Sequence, residues 1–254
     1  MKIAVTGKGG SGKTTVCALL CREFSRLGYS VLGVDADPDS NLAAALGFPD
    51  GGAIRPIVEY RELIKERAGG GGGLVRLNPR VDDIPDTHSA THGGIKLIVM
   101  GGIKKGGGGC ACPENIFVKE LLGHILLKGE EIVIIDMEAG IEHLGRGTAQ
   151  GVDLLIVVTE PSLLSVESAR RIRRLAEEIG IRRIAAIANK TGSEGEADII
   201  KKELVTLEFL GELPFSPALR GISLKMSSVD GDPVLRRVIQ QIAGAIIKTR
   251  VRRD

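Results

Sequence analysis

The residues best equipped for chemistry stand near the start of the chain, in Gly7-Lys8-Gly9-Gly10-Ser11-Gly12-Lys13-Thr14-Thr15, directly after the run Lys2-Ile3-Ala4-Val5-Thr6. Gly7 and Gly12 enclose four residues and are followed by Lys13 and Thr14, the spacing of a phosphate-binding loop. A triphosphate needs backbone N–H groups within hydrogen-bonding distance, and a Cβ would hold the chain away from it. Glycine also adopts the positive-φ conformations such a nest requires. Lys13 would set a point charge on the β- and γ-phosphates, and Thr14 would offer its hydroxyl to Mg²⁺. Gly9, Gly10, Ser11, Gly12 and Thr15 complete the expected nucleotide-binding stretch, at the positive end of the helix that follows. The alternative is a Gly-rich turn between strand and helix with no ligand.

Carboxylates follow at two further apolar runs. Val34-Asp35-Ala36-Asp37-Pro38-Asp39-Ser40-Asn41 puts Asp35 and Asp37 at a strand end, where they could hold Mg²⁺ through water or orient an attacking water. Helix capping is the competing use, and it is the better reading of Asp39 and Ser40. Ile132-Val133-Ile134-Ile135-Asp136 is an apolar strand ending in one carboxylate, as expected of the second Mg²⁺ strand of a phosphate-loop enzyme. Met137-Glu138-Ala139-Gly140 would then be a second switch, with Gly140 free to present its N–H to the γ-phosphate. Another strand ends in Asn189-Lys190. A guanine reader would require Asp two residues after that Lys, but the position is Gly192, so ATP is favoured. The Pro214-Phe215-Ser216-Pro217 loop is a candidate lip for the adenine pocket.

Four cysteines divide into two pairs. Cys110 and Cys112, one residue apart beside the run Gly106 to Gly109, can chelate a soft cation such as Ni²⁺ or Zn²⁺. Two thiolates do not fill a tetrahedral or square-planar shell, whereas a twofold dimer would supply four. Two unrelated thiols in a flexible loop are the alternative. Cys17 and Cys21 lie four apart with Leu20 and Phe24, a core helix face.

Those side chains need a frame, and the pattern supplies one. Short apolar runs alternate with helical periodicity, the signature of a mostly parallel twisted sheet with helices on both faces. Strands are expected at 3–6, 31–35, 74–78, 96–101, 132–136, 154–159, 184–188 and 208–213. Helices are expected at 13–27, 41–46, 55–67, 113–128, 166–179, 194–204 and 234–249. No stretch reads as a linker, so residues 1–254 are expected to form one α/β phosphate-loop domain with ligands at the carboxyl ends of the strands. A net charge of +2 gives no general pull toward nucleic acid, and 3% aromatic residues supply no stacking platform for bases. Met1-Lys2 leads straight into a strand rather than a signal peptide, and no apolar run approaches the ~18 residues of a membrane span. A cytoplasmic protein with thiols rather than disulfides is expected. His88 and His92 fall in a polar stretch and read as exposed.

With its second lysine, Lys8, the string from Lys8 to Thr15 resembles the deviant phosphate loop of the MinD, ParA and nitrogenase iron protein superfamily. That resemblance implies an ATPase working as a nucleotide-sandwich homodimer, with Lys8 reaching the partner's nucleotide, Asp37 placing the attacking water and Asn189 bonding the adenine. Lys8, Lys13 and Asp37 are then the catalytic set, and Thr14, Asp35 and Asp136 the Mg²⁺ set. The loop, Asp35-Ala36-Asp37-Pro38-Asp39-Ser40, Gly109-Cys110-Ala111-Cys112-Pro113-Glu114-Asn115 and Asp136-Met137-Glu138-Ala139-Gly140-Ile141-Glu142-His143-Leu144-Gly145-Arg146-Gly147 together resemble the CooC family. These are nickel-insertion ATPases of carbon monoxide dehydrogenase and its acetyl-CoA synthase relatives. The family implies ATP- and Mg²⁺-dependent dimerisation, with metal held by the paired cysteines and delivered on hydrolysis to ADP. Ser11 departs from the usual apolar loop residue, and Gly69 to Gly73 has no functional reading.

Two rivals use the same residues differently. A nitrogenase-type iron–sulfur protein needs a cysteine in the second switch, and 137–147 contains none. A MinD- or ParA-like spatial regulator at membrane or DNA would draw on the terminal helix, where Leu235, Val238, Ile239, Ile242 and Ile246 precede Lys248, Arg250, Arg252 and Arg253.

Overall fold

Strands made of unbroken Val, Ile and Leu must be covered on both sides, and these runs occupy the middle of one sheet. In the computed structural model β1 (Lys2–Gly7), β2 (Val31–Ala36), β4 (Ile95–Val99), β5 (Ile132–Met137), β6 (Leu154–Thr159), β7 (Ile184–Thr191) and β8 (Glu208–Pro214) run parallel. A short antiparallel strand, β3 (Ala90–His92), closes one edge, giving the order β3-β4-β2-β5-β1-β6-β7-β8. Every residue of β1, β5 and β6 is buried. The description covers residues 1–49, 54–69, 75–101, 113–128, 131–141, 144, 146–217 and 232–248.

Helices α1 (Lys13–Arg26), α2 (Leu42–Ala45) and α9 (Pro233–Lys248) cover one face. The other carries α3 (Arg61–Ala68), α4 (Ile84–Thr87), α5 (Pro113–Lys128), α6 (Arg146–Ala149), α7 (Leu163–Glu178) and α8 (Glu196–Glu203). Cys17 and Cys21 sit in the α1 core with burial holding both thiols well above their ordinary pKa, so they are packing residues. The stripe Leu235, Ile239, Ile242 and Ile246 is buried by at least 97% at each position, against β8 and α1. That apolar face is spent on the sheet, so it is not a surface for lipid. Among the described residues no helix is long and apolar enough to cross a membrane.

Three expectations need correction. Of the strand expected at 74–78, the described residues 75–78 do not form one: Val75 makes an isolated bridge to Gly69, Leu77 is exposed, and Pro79 has no N–H for a ladder. The eighth strand is β3, joined to β4 by Gly93-Gly94 with both φ angles positive (56° and 78°). A Gly-Gly pair is a two-residue hairpin signal, which the polar composition around it concealed. His88 is also not fully exposed, since its ring meets that of Tyr60 edge-on at 4.7 Å. The helix expected over 55–67 is a 3₁₀ turn (Ile57–Glu59) followed by α3.

Candidate functional site

The loop between β1 and α1 contains two kinds of glycine. At Gly7 a Cβ would stand 2.4 Å from the Val158 carbonyl oxygen, and at Gly12 one would stand 2.2 Å from Asn189 Nδ2. These two glycines let the loop pack against β6 and β7. At Gly9 and Gly10 a Cβ would meet nothing within 4 Å, so the loop faces open space there. Gly10 (φ 80°) and Gly12 (φ 94°) adopt the left-handed backbone of an anion nest. Ser11 N donates to Lys8 O at 3.1 Å to close the turn. The Ser11 hydroxyl is buried without a hydrogen-bond partner among the described residues, which is the local consequence of having a polar residue here.

Beside the loop, register places Asp35 of β2 directly opposite Asp136 of β5. Both are fully buried. Burial lifts Asp35 to about 7, against its hydrogen bonds from Leu42 N (2.9 Å) and Asp37 N (3.3 Å) and helped by the charge of Asp136. Burial lifts Asp136 to about 6, opposed by the Thr14 hydroxyl, the charge of Lys13 and the Cys17 thiol. Neither Asp136 oxygen has a hydrogen-bond partner of good geometry among the described residues. A buried carboxylate in that condition, beside a hydroxyl and an ammonium, suits a divalent cation. Mg²⁺ therefore fits this donor set, with Thr14 and Asp136 as the groups that would hold it. Asp35 already gives each oxygen to a backbone N–H.

An open cavity of about 500 Å³ lies over the loop, lined by Gly9, Gly10, Thr14, Asp37, Glu138 and Lys190 among others. Asp37 is half-buried in a tight turn, its carbonyl accepting from Ser40 N and its Oδ1 from Asp39 N, both at 3.0 Å. Lys8 is half-buried on the loop, whereas Lys13 is 7% exposed. Gly140 differs from expectation. Its N–H is not free, because it donates to Thr6 Oγ1 at 3.3 Å while its carbonyl accepts from the same hydroxyl at 2.6 Å.

The end of β7 is built into the loop to a degree the sequence did not suggest. Asn189 Nδ2 donates to Ser11 O at 2.6 Å, and Oδ1 is buried with no hydrogen-bond partner among the described residues. Lys190, with φ of 60°, donates to Gly10 O and to Glu160 Oε1, both at 2.6 Å. Asn189 therefore braces the phosphate loop with its amide nitrogen. Pro214 pairs with Thr191 at the end of β8, next to this brace. Glu160 went unread because a lone acidic residue after a strand has no local signature. Cys110, Cys112, His143 and Gly70 to Gly73 lie outside the described residues.

Comparison with known proteins bears on the same site. The CobQ/CobB/MinD/ParA nucleotide binding domain family matches residues 2–229. The carbon monoxide dehydrogenase accessory protein CooC of Rhodospirillum rubrum is 44% identical, over 98% of this chain and 97% of that protein. The septum site-determining protein MinD of Bacillus subtilis is 30% identical, over 82% and 74%. Among solved structures, MinD of Pyrococcus horikoshii OT3 complexed with Mg-ADP superposes with a TM-score of 0.71 at 19% identity, over 98% of this chain and 96% of that one. The last likeness is one of fold.

Proposed function

Because the chain belongs to the CobQ/CobB/MinD/ParA nucleotide-binding family, with 44% identity to a CooC protein over nearly its whole length, we propose that this ATPase of the MinD/ParA type serves maturation of carbon monoxide dehydrogenase or an acetyl-CoA synthase relative. The observation that carries the nucleotide reading is Asp136: a buried carboxylate with no hydrogen-bond partner of good geometry among the described residues, next to Thr14, Lys13 and a glycine loop open on its outer side.

In this reading the loop amides and Lys13 bind the phosphates, and Thr14 and Asp136 would hold Mg²⁺, which would supply neutralisation of the phosphate charge. Asp35 keeps the carboxylate pair in register and contributes through water. Asp37 orients the attacking water, and Glu138 with Gly140 registers the γ-phosphate. Asn189, Lys190 and Pro214 surround the base. Two protomers close over nucleotide with Lys8 of each reaching the other, and the four thiols of the paired Cys110 and Cys112 hold Ni²⁺ or Zn²⁺ as cargo. Hydrolysis opens the pair and releases the metal. Support for the cargo step comes from the Cys-x-Cys string within a CooC-like sequence. The membrane-acting alternative is disfavoured by the packing of the α9 stripe against the sheet.

Metal titration of the wild type and a Cys110→Ser/Cys112→Ser variant, with ADP or ATP present, tests the cargo. The wild type should take up one metal per dimer with thiolate-to-metal absorption, and the variant should take up none. Equal binding by both proteins would remove the metal role while leaving the ATPase reading intact.

A further inference from the structure

We infer that Thr6 is a positioning residue that sets the preference for nucleoside triphosphate over diphosphate, by competing with the γ-phosphate for the Gly140 amide. The inference rests on the nucleotide reading above and extends it to a residue outside both the phosphate loop and the switch.

Thr6 lies on β1 immediately before Gly7, and its side chain is fully buried. Its one hydroxyl hydrogen goes to Gly140 O at 2.6 Å, and its oxygen accepts the Gly140 N–H at 3.3 Å. A threonine hydroxyl has one donor and two acceptor positions, so one group can hold both ends of the same residue. Threonine is stiff at χ1, which fixes the direction of that grip. Gly140, at φ 116°, follows Asp136 by four residues and lies in the segment that lines the nucleotide cavity through Glu138 and Ala139.

The two bonds are unequal, and the inequality is what makes the contact a latch. The short bond to the carbonyl is the anchor, whereas the long one from the amide is the weak link. A phosphate oxygen carries charge and outcompetes a hydroxyl as acceptor for an N–H. A γ-phosphate can therefore take the amide while the carbonyl stays pinned, and the peptide pivots about the Thr6 contact. A diphosphate presents no γ-oxygen and leaves both bonds in place. The Thr6 hydroxyl consequently opposes triphosphate binding and has no effect on diphosphate binding.

Thr6→Val keeps shape and volume but removes the hydroxyl, and Thr6→Ser keeps the hydroxyl. Affinities for ADP and for a non-hydrolysable ATP analogue, with Mg²⁺, are to be measured on all three full-length proteins, alongside thermal midpoints. The variant Thr6→Val should bind the ATP analogue about three- to tenfold more tightly, the worth of one competing hydrogen bond. Its ADP affinity should stay within about twofold, and Thr6→Ser should return the wild-type ratio. A purely structural Thr6 would move both affinities together, and that result overturns the inference. Unchanged affinities, or weaker binding of the ATP analogue by Thr6→Val, overturn it as well. Failure of the wild type to bind either nucleotide would instead remove the nucleotide reading, and the inference with it.

Discussion

Asp35 and Asp136 are neighbours across one strand pair, equally buried and both lifted in pKa, yet they are used differently. Asp35 accepts the N–H of Leu42 and of Asp37, and so ties the end of β2 to the start of α2. Among the described residues Asp136 accepts nothing in good geometry, and it looks onto Thr14 and Lys13. One carboxylate builds the loop, and the other presents a donor set that a divalent cation would suit. The residue type is identical, so the distinction comes from which backbone groups the fold brings within reach.

The comparison is most exposed to Asp136→Asn. Loss of the charge should lower Mg²⁺-dependent ATP hydrolysis by ~100-fold or more, since the metal supplies most of the charge stabilisation in phosphoryl transfer. The same change should leave stability at neutral pH unchanged or raised, because an unpartnered buried charge is costly. ATPase rates and urea unfolding on one preparation check both halves, and a destabilised variant would show that Asp136 is also a structural carboxylate.

Asp35→Ala should invert the pattern. Leaving the Leu42 and Asp37 amides without their acceptor should cost about 1–3 kcal/mol by urea unfolding, with hydrolysis reduced less than in Asp136→Asn. Equal losses of hydrolysis in the two variants would erase the proposed division of labour.

A smaller effect is expected from pH. Both folded-state pKa values, about 7 and about 6, lie above the ordinary 3.8, so the folded chain binds more protons than the unfolded chain in between. Stability without Mg²⁺ should then fall as pH rises from about 4 through 7 and level off beyond. Mg²⁺ at pH 8 should recover much of the loss, and Asp136→Asn should flatten the slope. Unfolding midpoints across that range, with and without Mg²⁺, measure it; a midpoint rising from pH 5 to pH 8 in the absence of metal would contradict the pair's raised values.

How much was legible in advance follows from distance along the chain. The phosphate loop, the apolar strands and the core face of α1 are local patterns, and they stand where their residues announce them. The run expected as a strand at 74–78 misled because its Leu77 faces solvent and Pro79 after it has no N–H for a ladder. Gly93-Gly94 was readable as a hairpin and was obscured by the polar residues around it. Gly140 was expected to present a free amide to the γ-phosphate; its partner, Thr6, lies 134 residues away.

From its own order of residues the chain determined a glycine loop with Lys13 and Thr14, a parallel α/β sheet and two acidic strand ends, because each depends on residues within one element or one turn. Tertiary structure decided which carboxylate takes backbone N–H groups and which faces Thr14 and Lys13, that Asn189 braces Ser11 from 178 residues away, and that Thr6 grips Gly140. Those outcomes depend on strand order and register, which bring groups from separate segments into hydrogen-bonding range, and no periodicity in the sequence encodes them.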